Sequence, residues 1–238
     1  VIVRSDGHVT GTADGIYSAP TLSVALDVRR GGRAILPGVH ASEFWALMEQ
    51  ARIEASGDNG AWPSGSAVGA ALADRLVQSS LERIVEFDHC FSRAASRAHR
   101  WEVCAAAFLV CNYVSDDSFS DFKAGLVGLG QEAFEQVMAE PDALADHPMV
   151  RLIAAGKADR FALAGEAIQF AASQAYERRT GDADEFWEVL DAQPDTNGED
   201  TSGEAWSGRF GDPEDAAQIP LRLPRLHALF TQPETDGR

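Results

Sequence analysis

The stretch from Trp101 to Cys111, WEVCAAAFLVC, limits the folds open to this chain more than any other. Trp101, Cys104, Phe108 and Cys111 recur at helical spacing, and Val103, Ala106, Ala107 and Val110 fill the other faces. A helix that is apolar all round has no side to give to water, so other helices must cover it. Its longest apolar run, from Val103 to Cys111, is nine residues, and crossing a bilayer takes about 20. The spacing predicts a mainly α fold, a multi-helix bundle around a central apolar helix. A second helix is expected from about Asp117 to Glu140, with Phe119, Phe122, Leu126, Leu129, Ala133 and Val137 on one side. Between the two sits a polar corner, NYVSDDS, residues 112–118.

Residues 1–38 follow a different pattern. Leu22, Val24, Leu26 and Val28 alternate with Ser23, Ala25, Asp27 and Arg29, the period of a half-buried strand. Gly31 and Gly32 turn the chain, and Ala34 to Leu36 return as a partner strand. A small N-terminal β-hairpin is expected, packed on the helical body because a lone hairpin is barely stable. Helical periodicity governs residues 39–190. The first helix opens near Ser42, with Phe44, Leu47, Met48 and Ala51 on one face. Ser66 is expected to cap the second and Ser79 or Ser80 the third. Residues Phe161 to Arg179 read as one alanine-rich helix, closed by Gly181 in the left-handed cap conformation. Residues 191–218 carry eight acidic side chains against one arginine and are expected to lack regular structure. Residues 219–238 open with IPLRLPRLHALF, which would be costly to leave wet, so an extended strap folded back on the body is expected.

The net charge is −17, from 37 acidic and 20 basic residues. Nucleic acid and anionic membranes both need local positive charge, so neither is an expected partner. The balance suits a basic protein partner or a cation; a homo-oligomer is a separate reading, for which a large exposed apolar patch would be the sign. Cys90, Cys104 and Cys111 lie in apolar surroundings. Two turns of helix put Cys104 and Cys111 about 10 Å apart, too far for a disulfide. With no CxxC and no basic-then-apolar leader, the reading is a cytoplasmic protein with reduced thiols.

The candidate site residues each carry two readings. Asp116 and Asp117 stand in the first turn of the expected second helix, with Ser115 or Asp116 as its cap, where carboxylates favour the helix dipole. The same pair can serve as acid and base in a cleft, with Asp121 as a third carboxylate or as the end of a capping box begun by Ser118. His89 and His99 would be about 15 Å apart on one helix, so they cannot share a metal. No HExxH spacing is present, and no metal site is expected. Arg93, Arg97 and Arg100 form a basic stripe, either tied up in salt bridges or binding an anionic ligand. Trp101 is a core anchor or a ring on which a ligand stacks. Gly125, Gly128 and Gly130 permit close helix crossing or mark a kink; no strand precedes them and no GK[ST] follows. GxSxG is absent, and no cofactor is expected.

Four blocks in order carry a resemblance: FWALMEQAR (44–52), RWEVCAAAFLV (100–110), SDDSFSDFKAGLVGLGQEAFEQVMAEPDALAD (115–146) and AYERRTG (175–181). They resemble a bacterial domain-of-unknown-function family, number 4240, frequent in actinobacteria. The resemblance spans about residues 41–181 and implies a helical domain without an established activity. Where the family pattern has Gly-Gly-Cys before Ser-Asp-Asp, this chain has Asn112, Tyr113 and Val114. The reading of function is a cytoplasmic binding or regulatory protein working through an acidic helical surface. The alternative is a hydrolase or metal-assisted enzyme using Asp116 and Asp117, with His89 or His99.

Overall fold

The computed structural model describes residues 41–56, 62–192 and 213–231. The chain divides into two units, residues 1–35 and 36–238, and all described residues belong to the second. The hairpin expected in residues 1–38 therefore lies outside the described residues, as do residues 193–212 of the acidic segment. What is described is helical, with no strand among the described residues.

Twelve α-helices follow in order among them: α1 (Ala41–Ser56), α2 (Gly65–Leu76), α3 (Leu81–Arg97), α4 (Trp101–Cys111), α5 (Asp116–Gly128), α6 (Gln131–Ala139), α7 (Pro148–Ala154), α8 (Glu166–Gln169), α9 (Ala171–Thr180), α10 (Glu185–Asp191), α11 (Pro213–Arg222) and α12 (Pro224–Thr231). A 3-10 helix, Pro141–Asp146, joins α6 to α7. Serine side chains start three of them. Ser64 Oγ, rather than Ser66, accepts the Ala67 N–H at 3.3 Å to open α2, and Ser80 Oγ accepts the Arg83 N–H at 3.4 Å to open α3. Ser115 opens α5 in a reciprocal box. Its Oγ takes the Ser118 N–H at 3.2 Å, and its own N–H donates to Ser118 Oγ at 2.7 Å. Ser118 closes that box instead of starting one with Asp121.

Phe44, Phe87, Phe122, Phe134 and Phe186 are fully buried in the core. The apolar helix is α4, buried along its length except at Glu102 and Phe108. Phe108, expected to be covered like the rest of the helix, is instead exposed. Nor is α4 the hub of the bundle. The most extensive helix packing belongs to α2, which lies against α1, α8 and α9. On the side facing α8, Gly65 and Gly69 give α2 a bare edge on which backbone lies.

That bare edge meets a second one. A β-carbon added at Gly65 would lie 2.0 Å from the Ala164 carbonyl oxygen, and one at Gly125 of α5 would lie 1.5 Å from that of Leu163. The backbone of residues 163–167 is thus clamped between α2 and α5, with no room for a side chain at Gly65, Gly69 or Gly125. Its Gly165 N–H donates sideways to the Asp121 carbonyl at 2.8 Å. Expected as one helix, residues 161–179 instead form the short α8 and then α9, because backbone at the clamp bonds across to α5. The expected helix from Asp117 to Glu140 is also divided. Gly130 has φ +92° and sits between α5 and α6, in the left-handed region that glycine occupies at little cost.

The C-terminal segment is a pair of helices and not an extended strap. Ile219, Leu223 and Leu226 are buried at helical spacing. Pro224 occupies the first turn of α12, where no N–H is needed. Asp142, in the 3-10 helix, caps α12 from outside: its two carboxylate oxygens accept the N–H of Arg225 at 3.1 Å and of Leu226 at 2.9 Å.

Candidate functional site

The acidic corner resolves into a helix start. Asp116 and Asp117 are exposed in the first turn of α5, after the Ser115 cap. Asp121 is half-buried one turn on. Burial holds its carboxyl above the usual range, and the charges of Glu166 and Asp117 add to the effect. Among the described residues, no group of three His, Cys, Asp or Glu side chains is placed to hold a metal ion.

The arginine stripe turns onto other partners. Arg97 makes a two-pronged ion pair with Glu135 of α6, at 2.8 and 2.7 Å, and its guanidinium lies 5.3 Å from the Phe134 ring. Arg100 donates to the Met138 carbonyl at 2.9 Å, and Arg93 contacts Cys90 Sγ at 3.4 Å. Trp101 is buried under Arg222, whose guanidinium lies 4.7 Å from its ring.

The two histidines do not share a helix. His89 lies within α3, where burial lowers its pKa, the Arg93 charge adds to that, and Glu86 opposes it. His99 stands exposed in the turn before α4, with Nδ1 3.3 Å from Lys123 Nζ. All three cysteines are buried and none is in a disulfide, and burial pushes the Cys111 thiol up to about 11, far from a reactive thiolate.

The concave feature with mixed chemistry lies elsewhere, between α1 and the start of α6. It is an open groove of about 680 Å³, walled by Trp45, Glu49 and Arg52 of α1, by Trp62, and by Gly130 to Ala133. Arg52 lies across Trp62, 5.0 Å from the ring, and Glu49 clasps it with Nε to Oε2 at 2.9 Å and Nη2 to Oε1 at 2.5 Å. Trp62 is held from behind by His147, edge-on at 4.6 Å. Both His147 ring nitrogens are buried without a hydrogen-bond partner. Burial, with the Arg52 charge, pushes the imidazole down to about 4. It is therefore neutral near pH 7 and serves as a flat apolar support. Gly130 offers no side-chain cap, so the first-turn N–H groups of α6 have none. The groove's charged side chains are Glu49 and Glu132 against Arg52, so it is net negative.

The groove leaves no pattern in the sequence. Glu49 and Arg52 show only an i, i+3 pair, Trp62 sits in a Trp-Pro-Ser-Gly loop, and nothing in the sequence brings either to residue 130. Nor does any local pattern mark Lys123.

The family model described as "Protein of unknown function (DUF4240)" matches residues 40–178, more than half of the chain. The chain belongs to that family. The DUF4240 region begins one residue before α1 and ends inside α9, so it holds both walls of the groove and the glycine clamp. No curated protein and no solved structure matches the chain. No helix among the described residues is long and apolar enough to cross a membrane.

Proposed function

We propose that this DUF4240 protein is a binding protein, and that the groove between α1 and α6 takes a basic segment of a partner protein. The observation that carries the reading is the pairing of two tryptophans with excess carboxylate in one open concavity. An arginine or lysine entering it meets Glu132 and, in competition with Arg52, Glu49, while its stem lies on indole. A cation over tryptophan gains about 0.5–1 kcal/mol at an exposed site and more when desolvated. Arg52 on Trp62 already shows one guanidinium seated in this way. The overall charge of −17 would speed encounter with such a partner and repel acidic ones.

A hydrolytic role at the corner is the second reading. Its support is the Asp121 carboxyl held high beside Asp117 and Glu166, since carboxyls of unlike pKa can divide the roles of acid and base. Both Asp116 and Asp117 are exposed, however, and the roomy concavity lies at the other site.

Titration of tryptophan fluorescence with an arginine-rich peptide tests the first reading. Joint Glu49→Gln and Glu132→Gln substitution should weaken binding markedly. The same charge removed on α10, by Glu188→Gln with Asp191→Asn, should leave it nearly unchanged. Equal losses from the two pairs would mean general attraction to an acidic surface and no groove.

A further inference from the structure

The chain has only two lysines, Lys123 and Lys157, and they stand in different settings. Lys157 is exposed. Lys123, on α5, is half-buried, with its Nζ 5.0 Å from the Phe119 ring and 3.3 Å from His99 Nδ1. No carboxylate among the described residues forms an ion pair with it, although Arg52, Arg75, Arg83, Arg97, Arg151, Arg178, Arg222 and Arg225 all have one. The chain thus places an amine against a basic ring nitrogen, where an ion pair would have placed a carboxylate.

We propose that Lys123 is an acyl-acceptor site, at which the Nζ amine facing His99 Nδ1 takes an acyl group from an acyl thioester. The free amine is the nucleophile, and a lysine without a counterion gives up its proton more readily than a salt-bridged one. Burial lowers the Lys123 pKa, and Cys104 opposes it. The amine lone pair adds to the thioester carbonyl carbon. The C–N bond forms as the C–S bond breaks, and the thiol sulfur leaves with the bonding pair. The surplus proton on nitrogen passes to the His99 Nδ1 lone pair and on to the departing sulfur or water, leaving a neutral amide and a thiol. The product also removes a charge from a partly desolvated position, which favours acylation there over an exposed lysine. The site shares no residue with the groove.

The test uses the full chain and the acetyl thioester of N-acetylcysteamine, with each lysine followed by peptide mass spectrometry. Lys157 is the internal reference. Lys123 is expected to be acetylated several-fold faster than Lys157. His99→Gln, on an exposed turn, should slow Lys123 while leaving the Lys157 rate and the circular dichroism unchanged. Equal or slower reaction at Lys123 in the native protein would overturn the proposal. So would an unaltered Lys123 rate in the His99→Gln protein.

Discussion

Replacing Asp142 by alanine should release the C-terminal helices while the rest of the bundle stays folded. Asp142 is 6% exposed, and its carboxylate accepts two backbone N–H groups from the first turn of α12. Hydrogen bonds to a charged group are worth about 1.5–3 kcal/mol each, and a buried donor left unpaired costs about 1–3 kcal/mol. These figures overlap, because they describe the same two bonds, so about 2–4 kcal/mol in all is the reasonable range. The remaining hold comes from Ile219, Leu223 and Leu226 in the core, Leu229 and Phe230 packed against it, and the Arg222–Glu102 and Arg225–Asp146 ion pairs at the surface. Exposed pairs of this kind contribute about 0–1 kcal/mol. Amide exchange measured peptide by peptide separates local release from global unfolding. At 1.36 kcal/mol per tenfold, the smallest expected loss speeds exchange in α12 about 30-fold. Exchange in α2 should change much less. Leu226→Ala should produce the same local pattern, since emptying a buried leucine site costs about 2–5 kcal/mol. If Asp142→Ala speeds α2 and α12 equally, the carboxylate supports the whole core and the capping argument fails.

Two titrating groups should oppose each other below neutral pH. Burial raises the half-buried Asp88 to about 6, so its contribution is fully present below the ordinary carboxyl value near 3.8 and is lost as pH rises toward 6. His147, depressed to about 4, contributes stability above its ordinary value near 6.5 that is lost as pH falls toward 4. Denaturant melts of the native protein should therefore vary little between these limits. Asp88→Asn should gain about 1–3 kcal/mol at pH 7 and expose a clear rise of stability with pH; a flat profile in that variant would refute the assignment. Gly125→Ala should cost about 3–5 kcal/mol in urea unfolding, because its β-carbon meets the Leu163 carbonyl and the Gly165 to Asp121 bond must open. Gly156→Ala, with φ +65° but nothing within 4 Å, should cost only about 1 kcal/mol, and equal penalties would remove the clamp as the explanation.

Much of the helical content was legible because it rests on local signals. Ser80, Ser115 and Gly181 all act as the sequence implied, and Phe44, Met48 and Ala51 form a buried face. What was not legible depends on the partner backbone. Nothing between residues 161 and 179 shows that Gly165 bonds to α5, so the break before α8 was invisible. The spacing of 219, 223 and 226 was present in the sequence, but Pro220 falls inside α11, where proline ordinarily breaks a helix. Of the site candidates, Asp116 and Asp117 could be placed on a helix start from sequence. Arg97 and Arg100 could not be assigned to α6, nor His99 to Lys123, because those pairs join residues far apart in the chain.

The match to the family stops at residue 178, while Phe186, Ile219, Leu223 and Leu226 lie inside the core farther along the chain. A fragment trimmed to the family limits would therefore uncover greasy surface on α4 and the 3-10 helix and strand the Asp142 carboxylate without its two donors. Such a fragment should come out of expression aggregated or poorly folded, and the length of chain needed for a well-behaved sample is set by α12.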